Sequence, residues 1–135
     1  MPISDQYNPS VLVGWLDGMR RGDLDAIAAL LDPDVHWRGL PAGAVCRNRD
    51  EVLDMLGGVL AETRPRASAV ELVAGDGAVM LGVRADELRA IGDVPLPGQL
   101  FNVFRLRAGR IVSVDDYAHR AQALRAAQVS EPNWA

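Results

Sequence analysis

Two adjacent carboxylates near the end of the chain, Asp115 and Asp116, have the residue type and position to carry chemistry. They close an alternating segment, 110–117, that reads RIVSVDDY. Successive side chains on a strand point to opposite faces, so Asp116 is predicted to share a face with Val112 and Val114. The other face is predicted to hold Asp115 with Ile111, Ser113 and Tyr117. An unpaired charge is costly to bury, so a carboxylate on the more apolar face either contacts a partner or does acid–base chemistry.

Other side chains could join such a site, and each has a plainer interpretation. Arg84 and Asp86 alternate with apolar residues, which predicts either a site pair on one strand face or a weak solvent-exposed ion pair. Tyr117 could act through its hydroxyl or anchor the last strand with it. His119 follows Asp116 by three residues and could be an acid–base group or an exposed histidine.

The composition narrows the class of protein. The chain has 135 residues, a net charge of −4 and 49% hydrophobic residues, which predicts one globular domain and disfavours nucleic-acid binding. All 14 basic residues are arginines, so Schiff-base chemistry is excluded. One cysteine and two histidines without an acidic cluster at ligand spacing argue against a metal site. With no membrane-length apolar run and no signal-peptide pattern, we expect a cytoplasmic protein that does not bind membranes.

The periodicity places these residues on a small number of elements. Helical spacing and capping residues predict helices that begin near Ser10, Asp23 and Asn48, and a last helix over about 118–127. Alternation and turn residues predict strands at about 35–37, 68–74 and 78–88 and a hairpin around Ala108-Gly109. The segments 39–47 and 91–97 read as connections, and 1–9 and 129–135 as loose tails.

Helices segregated from an antiparallel sheet make an α+β domain, here predicted as one curved sheet wrapped around helices. Its interior is predicted to be apolar. The residues expected to line it are Trp15, Met19, Trp37, Met55 and Phe104. As in most domains, these side chains could equally be ordinary core.

Three segments resemble one family across nearly the whole chain. They are WLDGMRRGDLDAIAALLDPDVHW, CRNRDEVLDMLGGVL and FNVFRLRAGRIVSVDDYAHRAQAL. They are similar to the helix pair and first strand, the third helix, and the closing hairpin of the nuclear-transport-factor-2-like superfamily, in its SnoaL-like branch. The resemblance implies a cone-shaped roll with an internal apolar pocket, a small hydrophobic ligand and a homodimer formed through the outer sheet face. It does not choose a function, because the family includes isomerases, cyclases, epoxide hydrolases and non-catalytic proteins.

The ketosteroid-isomerase branch is a poor match at its functional positions. Its tyrosine donor, general-base aspartate and protonated aspartate correspond here to Trp15, Gly39 and Asn102. Trp15 and Asn102 can donate hydrogen bonds, but neither can abstract a proton next to a carbonyl.

The limonene-type epoxide-hydrolase branch matches better. The resemblance implies Asp86 as general acid, Asp116 as general base and Arg84 as the bridge between them. Trp37 and Gly39 stand where that branch has water-holding residues. A slip of one residue in the Arg84 strand would turn its side chain to the other face and remove the triad.

We therefore expect an acid–base enzyme without a cofactor, acting on a small hydrophobic molecule by epoxide opening or polyketide-type cyclisation. Asp116 is the leading catalytic candidate, with Arg84, Asp86, Tyr117 and His119 as further candidates. Asn102 and the five interior residues named above are the candidate substrate-binding residues. The alternative is a non-catalytic module of the same fold that binds an apolar ligand or dimerises.

Overall fold

The computed structural model describes residues 10–40, 45–62, 69–75, 77–86, 88–91 and 94–128. Both predicted tails lie outside these residues. The helices are α1 (Ser10–Arg21), α2 (Leu24–Ala28), α3 (Arg49–Glu62) and α4 (Arg120–Ala126). The strands are β1 (Leu31–Arg38), β2 (Val45–Cys46), β3 (Ala69–Ala74), β4 (Val79–Arg84), β5 (Ala90–Ile91), β6 (Val94–Pro95), β7 (Gln99–Arg107) and β8 (Arg110–Tyr117).

Six strands form one curved sheet in the order β2-β1-β8-β7-β4-β3, and β5 and β6 pair separately. The predicted α+β class is confirmed. Neighbouring strands in the large sheet are antiparallel except β1 and β8, which are parallel, with Trp37 opposite Val114 and Arg38 opposite Asp115. The parallel pair brings the first strand beside the last one, and so places Trp37 near the Asp115-Asp116 pair.

The sheet has two faces with different coverings. The inner face packs against α1, α2 and α3 in the larger core cluster, to which Leu12, Val52 and Val114 belong. The outer face carries a second cluster, in which Ala123 and Leu124 of α4 meet strand residues. Those strand residues are Met80, Phe101 and Val103, with Tyr117 packed beside them.

The helix ends follow the predicted caps closely. Gly22, with φ of 67°, ends α1, and the Asp23 carboxylate accepts a hydrogen bond from the Ala26 backbone amide at 3.0 Å. Asn48 accepts from the Glu51 amide at 2.9 Å at the start of α3. The Glu51 carboxylate accepts from the Arg47 amide at 2.7 Å, one residue before the position that a capping box would use.

Three predicted connections contain strand instead. β1 begins at Leu31 and runs through Pro33-Asp34, which the sequence predicts as a turn; an irregularity in the pairing with β8 between Leu31 and His36 accommodates the proline. Two-residue strands lie within the predicted loops 39–47 and 91–97. Such short pairings leave no periodicity in the sequence to detect.

The predicted strand 78–88 ends at Arg84. Beyond it the chain turns, because the Leu88 amide donates to the Ala85 carbonyl at 3.0 Å and the Ala85 amide donates to the Gly98 carbonyl at 2.9 Å. This early end matters for the site, because strand alternation no longer applies to Asp86.

The closing hairpin turns at Ala108 and Gly109 as predicted, with φ of 53° and 75°. Its register shifts within the ladder: Arg105 faces Ser113, but Leu106 faces Ile111. Val112 is the extra residue, and the bulge returns Ile111 to the inner core beside Val114. The prediction that Ile111 shares a face with Asp115 is therefore wrong.

Candidate functional site

The Asp116 carboxylate lies on the inner face of the sheet, half-buried, and is held by two neutral donors. The Trp37 indole Nε1 donates to Oδ2 at 3.1 Å, and the Asn102 amide Nδ2 donates to Oδ1. Asn102 is directly opposite Asp116 on β7, whereas Trp37 reaches it from β1. Both donors are buried, at 8% and 7% exposure. The predicted face of Asp116 is confirmed by these contacts and by its neighbour Val114.

The surroundings of Asp116 raise the pKa of its carboxyl toward neutral pH. Burial raises the pKa of this carboxyl from 3.8 to about 6, because the charged form loses its hydration. The hydrogen bonds from Trp37 and Asn102 act in the opposite direction, and the negative charge of Asp115 adds to the rise. The two neutral donors hold the carboxylate in place. An arginine partner would lower its pKa more strongly, because it adds a positive charge.

Aromatic rings pack beside this carboxyl. The Trp15 ring lies 5.7 Å from the Trp37 ring and 5.4 Å from the Phe104 ring, the latter edge-on. Met19 and Met55 are partly buried against the same core cluster. The predicted lining residues and Asn102 thus lie on the inner side of the sheet, while the internal pocket and their contacts with a substrate remain predictions.

The neighbouring carboxylate, Asp115, lies on the outer face and is only 5% exposed. Its Oδ1 accepts from Arg38 Nε, and its Oδ2 accepts from Arg105 Nη1 at 3.3 Å. Asp115 is therefore paired with arginine, whereas the side chains that donate to Asp116, Trp37 and Asn102, are neutral.

The structure does not bring Arg84 and Asp86 to Asp116. Leu81 and Val83 of β4 belong to the inner core, so alternation turns Arg84 to the outer face. Asp86 is exposed in the turn after the strand. Of the two predicted arrangements, the structure fits the one with the apolar residues of this strand inside and Arg84 outside, because the register of β4 places its odd-numbered residues in the inner core.

Tyr117 and His119 are also separated from Asp116. Tyr117 faces Phe101 across the hairpin and packs in the outer cluster. His119 is exposed and precedes α4 as its N-cap, without a side-chain capping bond. Their catalytic roles stay predictions, but the geometry gives neither of them a contact with the inner carboxyl.

Cys46 is a neighbour of the site that sequence reasoning missed. It lies opposite Trp37 in the β1–β2 pair and packs partly buried against the inner core. Burial raises the pKa of its thiol, and the charges of Glu51 and Asp116 raise it further. The thiol is therefore kept protonated beside Asp116. The sequence does not predict this position, because Cys46 is placed opposite Trp37 by a strand of only two residues, which has no detectable periodicity.

Within the described ranges, no group of three or more His, Cys, Asp or Glu side chains is arranged to hold a metal ion. Nor does the described part of the chain contain a helix long and apolar enough to cross a membrane.

Solved structures with the same architecture cover most of the chain. A steroid delta-isomerase from Pseudomonas aeruginosa is 24% identical, with a TM-score of 0.64 over 94% of this chain and 89% of that one. A protein from Xanthomonas campestris pv. campestris, described provisionally as a polyketide cyclase, is 23% identical, with a TM-score of 0.64 over 94% of this chain and 100% of that one. Another provisional polyketide cyclase, from Sinorhizobium meliloti, is 15% identical, with a TM-score of 0.65 over 85% of this chain and 100% of that one. At these identities the likeness concerns the fold alone.

No curated protein matches the chain. The family model described as the SnoaL-like domain matches residues 12–114, from the first turn of α1 to the middle of β8. The matched span includes Trp37 and Asn102 and ends two residues before Asp116. The chain belongs to the SnoaL-like family.

Proposed function

We propose that this protein is an acid–base enzyme that moves a proton on a small apolar carbonyl compound, with Asp116 as the proton-transfer group. The observation that carries the proposal is the position of the Asp116 carboxyl, on the apolar inner face and bonded by Trp37 and Asn102. A pKa of about 6 supports it, because a general base works best when its pKa lies near the working pH. The proposal involves no cofactor.

In this reaction the ionised Asp116 takes a proton from a carbon next to the carbonyl. The electrons of the broken C–H bond move toward the carbonyl oxygen and give an enolate, while Asp116 becomes the neutral acid. The acid then returns its proton: in a double-bond shift to the far carbon of the conjugated enolate, or in a ring closure to the alkoxide oxygen that forms when the enolate carbon adds to a second carbonyl of the same molecule. Isomerisation and cyclisation are the reaction classes named for the similar structures described above.

Trp37 and Asn102 would act as positioning residues. Each donates to a different carboxylate oxygen, so together they fix the plane of the Asp116 carboxyl. A fixed carboxyl keeps its proton-accepting lone pair directed at the substrate, which lowers the entropic part of the barrier.

Epoxide opening by an Asp-Arg-Asp group is not part of the proposal. That chemistry needs an arginine and a second carboxylate beside Asp116, and the β4 register turns Arg84 to the outer face. A single carboxyl can shuttle one proton, but it cannot act at both ends of an epoxide ring at once.

One observation favours a second candidate, a non-catalytic module that binds an apolar ligand. Trp15 contacts both Trp37 and Phe104 on the inner side of the sheet, as ordinary core aromatics do. In that case Asp116 serves only to hold the Trp37 indole in place.

A deuterium-exchange assay distinguishes the two candidates without knowledge of the natural substrate. A panel of small apolar ketones, deuterated next to the carbonyl, is incubated with the protein in ordinary water, and loss of deuterium is followed by NMR. We expect exchange that rises with pH through about 6, as Asp116 ionises. Asp116→Asn should slow the exchange by about 100-fold or more, because general-base catalysis typically contributes at least that factor.

The matched control is Asp86→Asn, which removes an exposed carboxyl from the turn after β4. It should leave the exchange rate unchanged. Equal rates for the parent protein and Asp116→Asn would remove Asp116 from the mechanism. Saturable ketone binding without any exchange, in both proteins, would establish the binding module instead.

A further inference from the structure

A groove of about 320 Å³ lies on the outer face, away from the proposed catalytic carboxyl. Its lining residues are His36, Arg38, Val45, Ser113 and Asp115. His36 pairs with Ser113, and Arg38 with both Asp115 and Val45, so all five residues share one face of the sheet. Helix α4 packs on β4, β7 and β8, and the groove lies beside β1 and β2.

Asp115 serves as the anchor of this groove. Its side chain is 8% exposed, and its two oxygens accept from two different guanidinium groups, those of Arg38 and Arg105. Arg105 also donates Nη2 to the Ala126 carbonyl at 3.2 Å, which ties it to the end of α4. Arg105 is therefore fixed in place by its contacts with Asp115 and α4. Arg38 shares the Asp115 carboxylate with it.

Arg38 is oriented toward the groove. It bonds Asp115 through Nε, so the guanidinium edge that carries both Nη groups points away from the carboxylate. The Arg38 side chain is 71% exposed. A guanidinium that is fixed at one edge and open at the other loses little entropy when a ligand binds, since its fork is already in place.

The groups around that fork suit an organic anion. Two guanidinium groups share one carboxylate, so this region is locally cationic on a chain whose net charge is −4. A guanidinium fork matches the oxygens of a carboxylate or phosphate, and Ser113 and His36 offer further hydrogen-bonding groups at the groove wall. Val45, 49% exposed, adds an apolar contact.

We propose that this outer groove binds a small organic anion, through its carboxylate or phosphate group, with Arg38 as the principal contact. The site is distinct from the Asp116 site, and it does not depend on the proposed catalytic function.

A second copy of the chain would be the other occupant, as in the homodimer that the resemblance predicts through the outer face. A twofold interface places the same patch on both sides. Where such an axis passes near Arg38, the Arg38 and Arg105 cations of the two copies approach each other, which opposes association. The charge of the patch thus favours an anionic ligand over a second copy.

Isothermal titration calorimetry with three ring compounds tests the proposal. Phenyl phosphate and benzoate carry the two anionic groups, and benzyl alcohol carries the same ring without a charge. We expect 1:1 binding of at least one anion to the parent protein and none of the alcohol. Arg38→Gln should weaken that binding at least about tenfold, because it removes a charge-assisted contact. Ser113→Ala should weaken it less.

The control variant is Arg20→Gln, which removes an arginine that is 79% exposed and paired with Asp17 on α1. It should bind both anions as the parent protein does. NMR should place the shifted backbone amides at Val45 and Ser113.

Failure of both anions to saturate the protein would overturn the proposal. So would an equal loss of affinity in Arg20→Gln and Arg38→Gln, or amide shifts confined to other strands. Sedimentation of the same proteins tests the rival occupant. A parent protein that sediments as a dimer, with the Val45 and Ser113 amides shifting on dilution and with anion affinity unchanged in Arg38→Gln, would make this face an interface between copies instead.

Discussion

The Asp116 carboxyl weakens the fold at the pH values where it would be useful as a base. Its pKa is 3.8 in the unfolded chain and about 6 in the folded protein, so the folded state binds more protons between these values. Stability contributed by the protonated form is present below pH 3.8 and is lost as the pH rises through 6. The shift amounts to about 3 kcal/mol at most, since one pH unit corresponds to about 1.4 kcal/mol.

Asp116→Asn should remove this pH dependence. Its free energy of unfolding relative to the parent protein should increase between pH 4 and pH 7.5, by up to about 3 kcal/mol. Urea denaturation of both proteins across that range measures the difference. Asp54→Asn, which removes an exposed carboxyl of α3, corrects for the change in net charge. If the difference in the free energy of unfolding between the parent protein and Asp116→Asn stayed constant with pH, the pKa of Asp116 would not be raised in the folded protein.

At this scale the sequence was enough to predict the face of the sheet on which Asp116 lies, but not the side chains that contact it. Two-residue periodicity is enough to put Asp116 with Val114, because no irregularity lies between them. The face of Arg84 was left open between two alternatives, since a strand with polar and apolar residues on alternate positions does not say which set is inside. Cys46 could not be found at all, because its place depends on a pairing between β1 and β2 that only the folded chain creates.

At the scale of elements, α1 and α2 approach each other so closely that one glycine is required. A Cβ added at Gly18 would lie 2.9 Å from Cγ1 of Ile27, a fully buried side chain of α2. The Ile27 branch cannot move away easily, because it is held in the inner core.

Gly18→Ala should therefore lower the free energy of unfolding by about 1–3 kcal/mol, as overpacking does. Gly58→Ala is the matched control: it makes the same change in helix α3, where the new methyl group meets nothing within 4 Å. It should raise the free energy of unfolding by about 0.5–1 kcal/mol, through helix propensity. Urea denaturation compares the two. A Gly18→Ala protein as stable as Gly58→Ala would show that the two helices can separate at little cost.

The elements that could be predicted are those with local signals. Asp23 and Asn48 begin helices because their side chains accept hydrogen bonds from backbone amides three residues later. Gly22 ends α1 because it adopts a positive φ. The parallel pairing of β1 with β8 has no such signal. It joins residues about 80 positions apart, and it is the contact that assembles the site.

For the whole molecule, the decisive feature is that the two faces of the sheet surround the adjacent carboxylates Asp115 and Asp116 with different partners. Asp116 meets neutral donors on the inner face, whereas Asp115 meets Arg38 and Arg105 on the outer face. The two residues are neighbours on β8, so only the thickness of one strand separates their carboxyl groups. A change of charge on the outer face therefore acts on the Asp116 carboxyl on the inner face. The Asp115 charge already contributes to the raised pKa of Asp116.

Asp115→Asn should accordingly lower the pKa of Asp116 below 6. It removes a negative charge and leaves two guanidinium groups without their carboxylate, and both changes favour the ionised form of Asp116. We expect the fall to be only part of the total shift, because burial, the largest cause of the raised value, is unchanged. Carbon-13 NMR of the Asp116 carboxyl across a pH titration measures it, with Asp86→Asn as the control for a carboxyl lost elsewhere. An unchanged or higher pKa in a folded Asp115→Asn protein would show that the two faces of the sheet are electrostatically independent.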